Sequence, residues 1–326
     1  MPVLPRPAYR PHFPFTNNHV QTIFPTLLRK IPPLNPRHQR VETDDGDFID
    51  IDWHSGVSGK ATKLAIVSHG LEGHSRKKYP LGMANCLTGY DWDVVCLNFR
   101  GCSGEPNRLP RLYHSGVTDD LHTIVHHCLA TNRYHDAILI GFSMGGNQTL
   151  KYLGETPDIV PSEVRAAVVF SVPCMLADSV EIMNGWQNRI YMRYFLGSLS
   201  EKIRIKAEMF PGLIDMTGIE KIKTFAPFDD RYTAPLHGFR DAADYYQSCS
   251  SRQFLPEIQI PCLMVQAVDD PFLSKSCFPI SEAEKSPYLS LEIAEFGGHV
   301  GFWGGWRENH YWSENRTVDF LDHLGL

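Results

Sequence analysis

The chain has 326 residues, 43% of them hydrophobic, with 31 Lys and Arg against 37 Asp and Glu and a formal net charge of −6. That is ample for the core of one moderately large α/β unit with an insertion, and no repeats or low-complexity tracts divide it. Dispersed cations on an acidic chain argue against nucleic acid as a partner, and eight cysteines without paired or metal-like spacing read as reduced thiols of a cytoplasmic protein.

In chain order, the opening Met1–Pro7 is broken by prolines. No apolar run reaches the roughly twenty residues that crossing a bilayer requires, and no secretion signal is visible. Arg29, Lys30, Arg37 and Arg40 read as a solvated face. Asp47 to Trp53 alternates polar and apolar, as expected for an antiparallel edge hairpin turning at Asp45-Gly46. Leu64 to Ser68 is a strand that ends at His69-Gly70-Leu71-Glu72-Gly73, an early glycine-flanked turn of the kind whose backbone stabilises an oxyanion. Val94 to Leu97 is a solid apolar strand, and Cys102 follows it in a glycine-rich loop with nothing nearby that resembles an activating base. Asp119 and Asp120 open a helix at Leu121–Val125 and suit its positive end. His122 and His126 share a helical face, but no carboxylate or cysteine pattern supports a metal there.

Ala137 to Ile140 is a short buried strand running into Gly141-Phe142-Ser143-Met144-Gly145, and a helix continues through Gln148–Leu153. A serine between glycines at a strand-to-helix turn describes a nucleophile elbow: the hydroxyl is lifted clear of the sheet and faces a helix N-terminus that favours negative charge. Ser143 is therefore the expected nucleophile. The backbone N–H groups of Met144 and Leu71 are the expected oxyanion donors. After the apolar strand Ala166–Phe170, a helical insertion carries Met175, Met183, Trp186, Tyr191, Met192, Tyr194, Phe195 and Leu196. It reads as a cap, most of these side chains packing it and some lining an acyl pocket.

A serine needs a base, and the base needs a carboxylate to hold its tautomer. Pro261–Gln266 is an apolar run of the kind expected in a parallel strand, and it empties into Asp269-Asp270-Pro271-Phe272, so the acid comes from that loop. Tyr288–Ile293 alternates as a last strand, and Phe296-Gly297-Gly298-His299 follows as a tight turn presenting an imidazole. His299 is the expected base, and Trp303 and Trp306 beyond it either pack or wall the pocket.

With these residues in view, the chain resembles the α/β-hydrolases of the YheT-like group, bacterial esterase-type proteins similar to plant EMB8-type and animal membrane-bound relatives. The resemblance spans nearly the whole chain. It rests on Asn18–Thr22, His69–Gly73, Asn98–Gly104, Gly141–Asn147, Tyr232–Pro235, Asp269–Phe272 and Gly297–His299. It implies a triad of Ser143, Asp270 and His299, with Asp270 rather than Asp269 in the family register, and activity toward carboxylic esters of short or medium acyl groups. The expected fold is thus an α/β-hydrolase fold, a mostly parallel sheet with helices on both faces. Its core would span 1–172 and 258–326 around a helical cap at 173–257. The expected chemistry is ester hydrolysis through an acyl-enzyme, with acyl transfer to an alcohol or a non-catalytic binding role as alternatives. A small acyl ester is the expected partner, and neither cofactor nor metal is implied. Animal relatives carry an amino-terminal membrane span, and nothing in this chain is long enough to match it.

Overall fold

The computed structural model describes residues 3–131, 133–303 and 311–326. Its eight strands are β1 (Arg37–Glu42), β2 (Phe48–His54), β3 (Lys63–Ser68), β4 (Trp92–Leu97), β5 (Asp136–Phe142), β6 (Val164–Phe170), β7 (Cys262–Ala267) and β8 (Leu289–Ala294). They form one sheet in the order β1-β2-β4-β3-β5-β6-β7-β8. The β1–β2 and β2–β4 pairs are antiparallel, and every pair from β4 to β8 is parallel. The longer helices before β7 are α1 (Asn18–Leu28), α2 (Lys78–Gly89), α3 (Thr118–Leu129), α4 (Met144–Glu155), α5 (Leu176–Met183) and α6 (Arg189–Met209).

The two-residue period of a strand decides which side chain meets which layer. Leu64, Ile66 and Leu139 pack with Leu121, Ile124 and Leu150 of α3 and α4 on one face. Ala65, Val67, Ile138 and Ile140 pack with Met83 and Leu87 of α2 and with Val318 and Leu321 of the C-terminal helix Trp312–Leu324 on the other. Helices on both faces are what makes these strands continuous apolar runs. No helix among the described residues is long and apolar enough to cross a membrane, and all eight cysteines are free and buried.

Several polar residues are placed differently from the sequence expectation. The hairpin turns at Thr43–Asp47 as expected, with Gly46 at φ +83°. Yet the polar positions of β2 are not solvated, because β1 and not β2 is the sheet's edge and the loops carrying Ser75 and Ser103 cover the face of Asp50 and Asp52. Buried Asp50 accepts from Arg40 Nε at 2.8 Å and Ser103 Oγ at 2.7 Å, and buried Asp52 accepts from Ser75 Oγ at 2.7 Å. Arg29 is likewise no surface cation: it pairs with Glu314 at 2.6 Å and lies over the Tyr311 ring.

Asp119 and Asp120 sit in the first turn of α3 but do not cap it, since no side chain closes that end. Asp120 is instead the buried counter-ion of Arg100, which donates to it at 2.6 Å and to Asp47 and Asp45 at 3.0 and 2.9 Å. This guanidinium ties the loop after β4 to the β1–β2 turn and to α3. Removing one member of a buried ionic network leaves uncompensated charge, at a cost of about 3–5 kcal/mol. Arg100→Leu should therefore lower the denaturant midpoint by that much stability. A loss below about 1 kcal/mol would show that water or relaxation solvates Asp47 and Asp120 instead.

Candidate active site

β4 and β5 flank β3 on opposite sides, so the loops leaving β3 and β5 diverge and open a crevice at the carboxyl ends of the strands. Ser68 pairs with Gly141 in this register, which sets His69–Gly73 beside Ser143. Ser143 stands between β5 and α4 at φ +54°, ψ −118°, a strained conformation for a residue with a Cβ. Its N–H donates to the Phe170 carbonyl at 2.8 Å, and its own carbonyl accepts from Asn147 N–H at 3.1 Å as α4 begins. Gly145 is required by close approach: a Cβ there would fall 2.5 Å from the carbonyl oxygens of Ser68 and His69.

Three side chains from distant stretches converge here. The Ser143 hydroxyl lies 2.8 Å from His299 Nε2, and His299 Nδ1 lies 2.9 and 3.1 Å from the two carboxylate oxygens of Asp270. A histidine protonated on Nδ1 donates to Asp270 and accepts from Ser143, so the carboxylate selects the tautomer. The fully buried Asp270 side chain is itself held by the Phe272 N–H at 2.9 Å, and the Phe272 ring packs on the imidazole. Neighbouring Asp269 does not touch His299. It accepts the Gly298 N–H at 3.0 Å, and burial pushes its carboxyl up to about 6.

What holds the imidazole loop was missed by reading the sequence for reacting groups alone. α1, which contains Pro25 and starts from an Asn17 side-chain cap, lies against this loop. Thr22 Oγ1 accepts the His299 N–H at 2.9 Å, and Asn18 Nδ2 donates to the Asp269 carbonyl at 2.8 Å. Gly298, at φ +55°, could not carry a Cβ, which would meet the Asn18 carbonyl at 2.6 Å. The signal was present in Asn18–Thr22, a motif of the resemblance with no role read from it. Trp303 packs against Phe15 and Phe24, away from the cavity, and Trp306 lies outside the described residues.

The loop after β3 brings its backbone to the same point, where a Cβ on Gly70 would fall 3.1 Å from the Cβ of Ser143. Gly70 N–H donates to the Tyr79 hydroxyl, Glu72 N–H to the Tyr113 hydroxyl and Gly73 N–H to the Gly70 carbonyl. That leaves Leu71 as the amide of Gly70–Gly73 with no partner among the described residues. Met144, the first residue of α4, supplies an N-terminal helical N–H next to Ser143. His69 is a brace: its Nδ1–H donates to the Gly70 carbonyl at 2.7 Å, its Nε2 accepts from Phe99 N–H at 3.2 Å, and burial drives its pKa down to about 3. Glu72, at φ +52°, is clamped by Lys202 Nζ at 2.7 Å, the Tyr113 hydroxyl at 2.5 Å and Ser198 of α6. Cys102 lies 3.0 Å from that Lys202 amine, and burial pushes its thiol up, away from the reactive thiolate.

A cavity of about 510 Å³ opens over Ser143 and His299. Tyr191, Tyr194, Phe195 and Met183 line it, whereas Met192 and Leu196 on the opposite face of α6 are buried in the core and Trp186 is 81% exposed. Helical periodicity accounts for the split, because 191, 194 and 195 share a face that 192 and 196 do not. The sequence reading did not include Leu176, Val180 and Phe225, nor Ile23 and Leu27 of α1, all of which also line it.

The family model described as "alpha/beta hydrolase fold" matches residues 66–304. The chain is 36% identical to the Escherichia coli (strain K12) protein named Putative esterase YheT, over 94% of this chain and 91% of that one. It is 31% identical to Phospholipase ABHD3 of Mus musculus, over 87% of this chain and 71% of the relative. Among solved structures, the Pyrococcus furiosus esterase Pf2001 superposes with a TM-score of 0.60 at 14% identity, covering 91% of this chain and 97% of that one, a likeness of fold.

Proposed function

The chain belongs to the alpha/beta hydrolase family, and from that premise we propose that it is a serine hydrolase that cleaves carboxylic esters through Ser143, His299 and Asp270. Ser143 Oγ attacks the acyl carbonyl while His299 Nε2 takes its proton, and Asp270 holds the imidazole and offsets the charge it gains. The tetrahedral oxygen is met by the N–H groups of Leu71 and Met144. His299 then returns the proton to the leaving alcohol, and a water activated by the same nitrogen releases the acid from the acyl-enzyme. The observation that carries this reading is the unbroken relay, 2.8 Å from Ser143 to His299 and 2.9 Å from His299 to Asp270.

Segment 173–257 is the cap in this proposal. Its apolar cavity wall, with Tyr191, Phe195 and Leu176, suits the acyl group of a short or medium chain ester. The names of the relatives, an esterase and a phospholipase, support an ester as the bond cleaved.

The test is chemical. A fluorophosphonate probe should label the wild-type protein stoichiometrically, and turnover of esters of graded acyl length should yield free acid even with added alcohol. A protein that resists the probe, or that forms only the exchanged ester when alcohol is present, would overturn the hydrolase reading; the second result would identify an acyl transferase.

A further inference from the structure

The wall of the cavity formed by Tyr245, Tyr246 and Asp229 differs from the rest. Each of the other buried carboxylates pairs with an Arg, Lys or His, from Asp47 with Arg100 to Glu314 with Arg29. Asp229, 8% exposed, is the exception among the described residues. Its oxygens accept only two neutral donors, the Thr233 hydroxyl and the Tyr246 hydroxyl, each at 2.5 Å. The cations lining the cavity are engaged elsewhere: Arg29 by Glu314, Lys78 by the Arg29 carbonyl, and Lys77 with the Tyr194 hydroxyl. A carboxylate with room for one more donor on each oxygen thus faces a largely apolar space.

Two further observations mark the spot. Asp229–Thr233 is a π-helical turn, a rare conformation that recurs at functional sites. It runs into the Tyr232–Pro235 motif, for which the ester chemistry has no use. The wall also adjoins the nucleophile: the Tyr245 hydroxyl accepts the Ser115 N–H, the Ser115 carbonyl accepts from Asn147 Nδ2, and Asn147 closes the first turn of α4 on Ser143.

We propose that Asp229 is a specificity-determining residue that binds a protonated amine on the substrate, with Phe225, Tyr245 and Tyr246 supplying aromatic surface around it. A buried carboxylate without a cation is costly, and a ligand ammonium brings both the opposite charge and the N–H donors the free lone pairs can accept. Aromatic rings around an ammonium add to its binding. Burial lifts the carboxyl to about 6, and a bound ammonium would favour its ionised form. This deepens the ester-hydrolase reading and rests on it for the claim that the bound molecule is a substrate.

Binding is therefore measured without turnover. Calorimetry on the full-length Ser143→Ala protein at pH 7.5 compares hexylammonium with 1-hexanol, matched in length. The ammonium is expected to bind at least tenfold tighter, and Asp229→Asn in the same background is expected to bring the two within threefold. Equal affinities before the second substitution, or a preference that survives it, would overturn the proposal. If Asp229→Asn does not fold, Asp229→Leu takes its place, because an apolar isostere removes the buried charge without an unpaired amide. Failure of the ester-hydrolase reading would appear separately, as absent probe labelling of the wild-type protein.

Discussion

Ser143→Ala is expected to lower kcat on an activated short-chain ester by about 10⁶-fold, because nucleophile and base act as one unit and loss of either removes nearly all of their joint effect. The hydroxyl stands 2.8 Å from His299 Nε2 at a turn whose strain is held by the Phe170 carbonyl and by α4. Alanine fits the same backbone without new contacts, so the fold should persist. The cavity wall is untouched, so substrate affinity should change little. Rates are compared at saturating ester, with thermal unfolding as the control. A variant that keeps activity within a hundredfold of wild type, or is still labelled by the fluorophosphonate, would remove Ser143 from the mechanism.

Asp270→Asn is expected to cost about 10⁴-fold in kcat, the scale seen when an amide replaces a triad carboxylate and presents the wrong tautomer to the base. An amide at 270 can donate to Nδ1, which drives the imidazole proton to Nε2, where it faces the Ser143 hydroxyl and cannot accept its proton. Asp269→Asn is the matched control, one residue away in the same loop. Its side chain takes the Gly298 N–H at 3.0 Å and does not touch His299, and an asparagine oxygen can accept that bond equally well. A loss of less than about tenfold is expected there, on the scale of a hydrogen bond between neutral groups. A greater loss from Asp269→Asn than from Asp270→Asn reverses the assignment.

Why one aspartate rather than the other meets the imidazole illustrates how far the residues alone could be read. That the loop after Pro261–Gln266 ends in acids was plain from an apolar run meeting Asp-Asp-Pro. Which carboxylate turns toward position 299 depends on the path of that loop after β7, where the Asp270 oxygen accepts the Phe272 N–H and Asp269 turns to Gly298. The same boundary separates the polar residues of β2 from their apolar neighbours. Alternation in Asp47–Trp53 was legible, but the burial of Asp50 and Asp52 under loops from elsewhere was not.

By itself, then, the sequence determined what short-range sterics and periodicity control. These are the solid apolar strands, the glycine-flanked turn at Ser143, and the chain order of serine, acid and histidine. Only the tertiary structure decided what depends on partners far away in the chain. Thr22 holds the His299 loop from 277 residues away, Arg100 is shared by Asp47 and Asp120, the cavity wall draws on both α1 and α6, and Asp229 lacks a cation among the described residues. The physical reason is that backbone preference is set by neighbours within a few residues, whereas burial, ion pairing and cavity shape are set by which surfaces meet once the chain has collapsed.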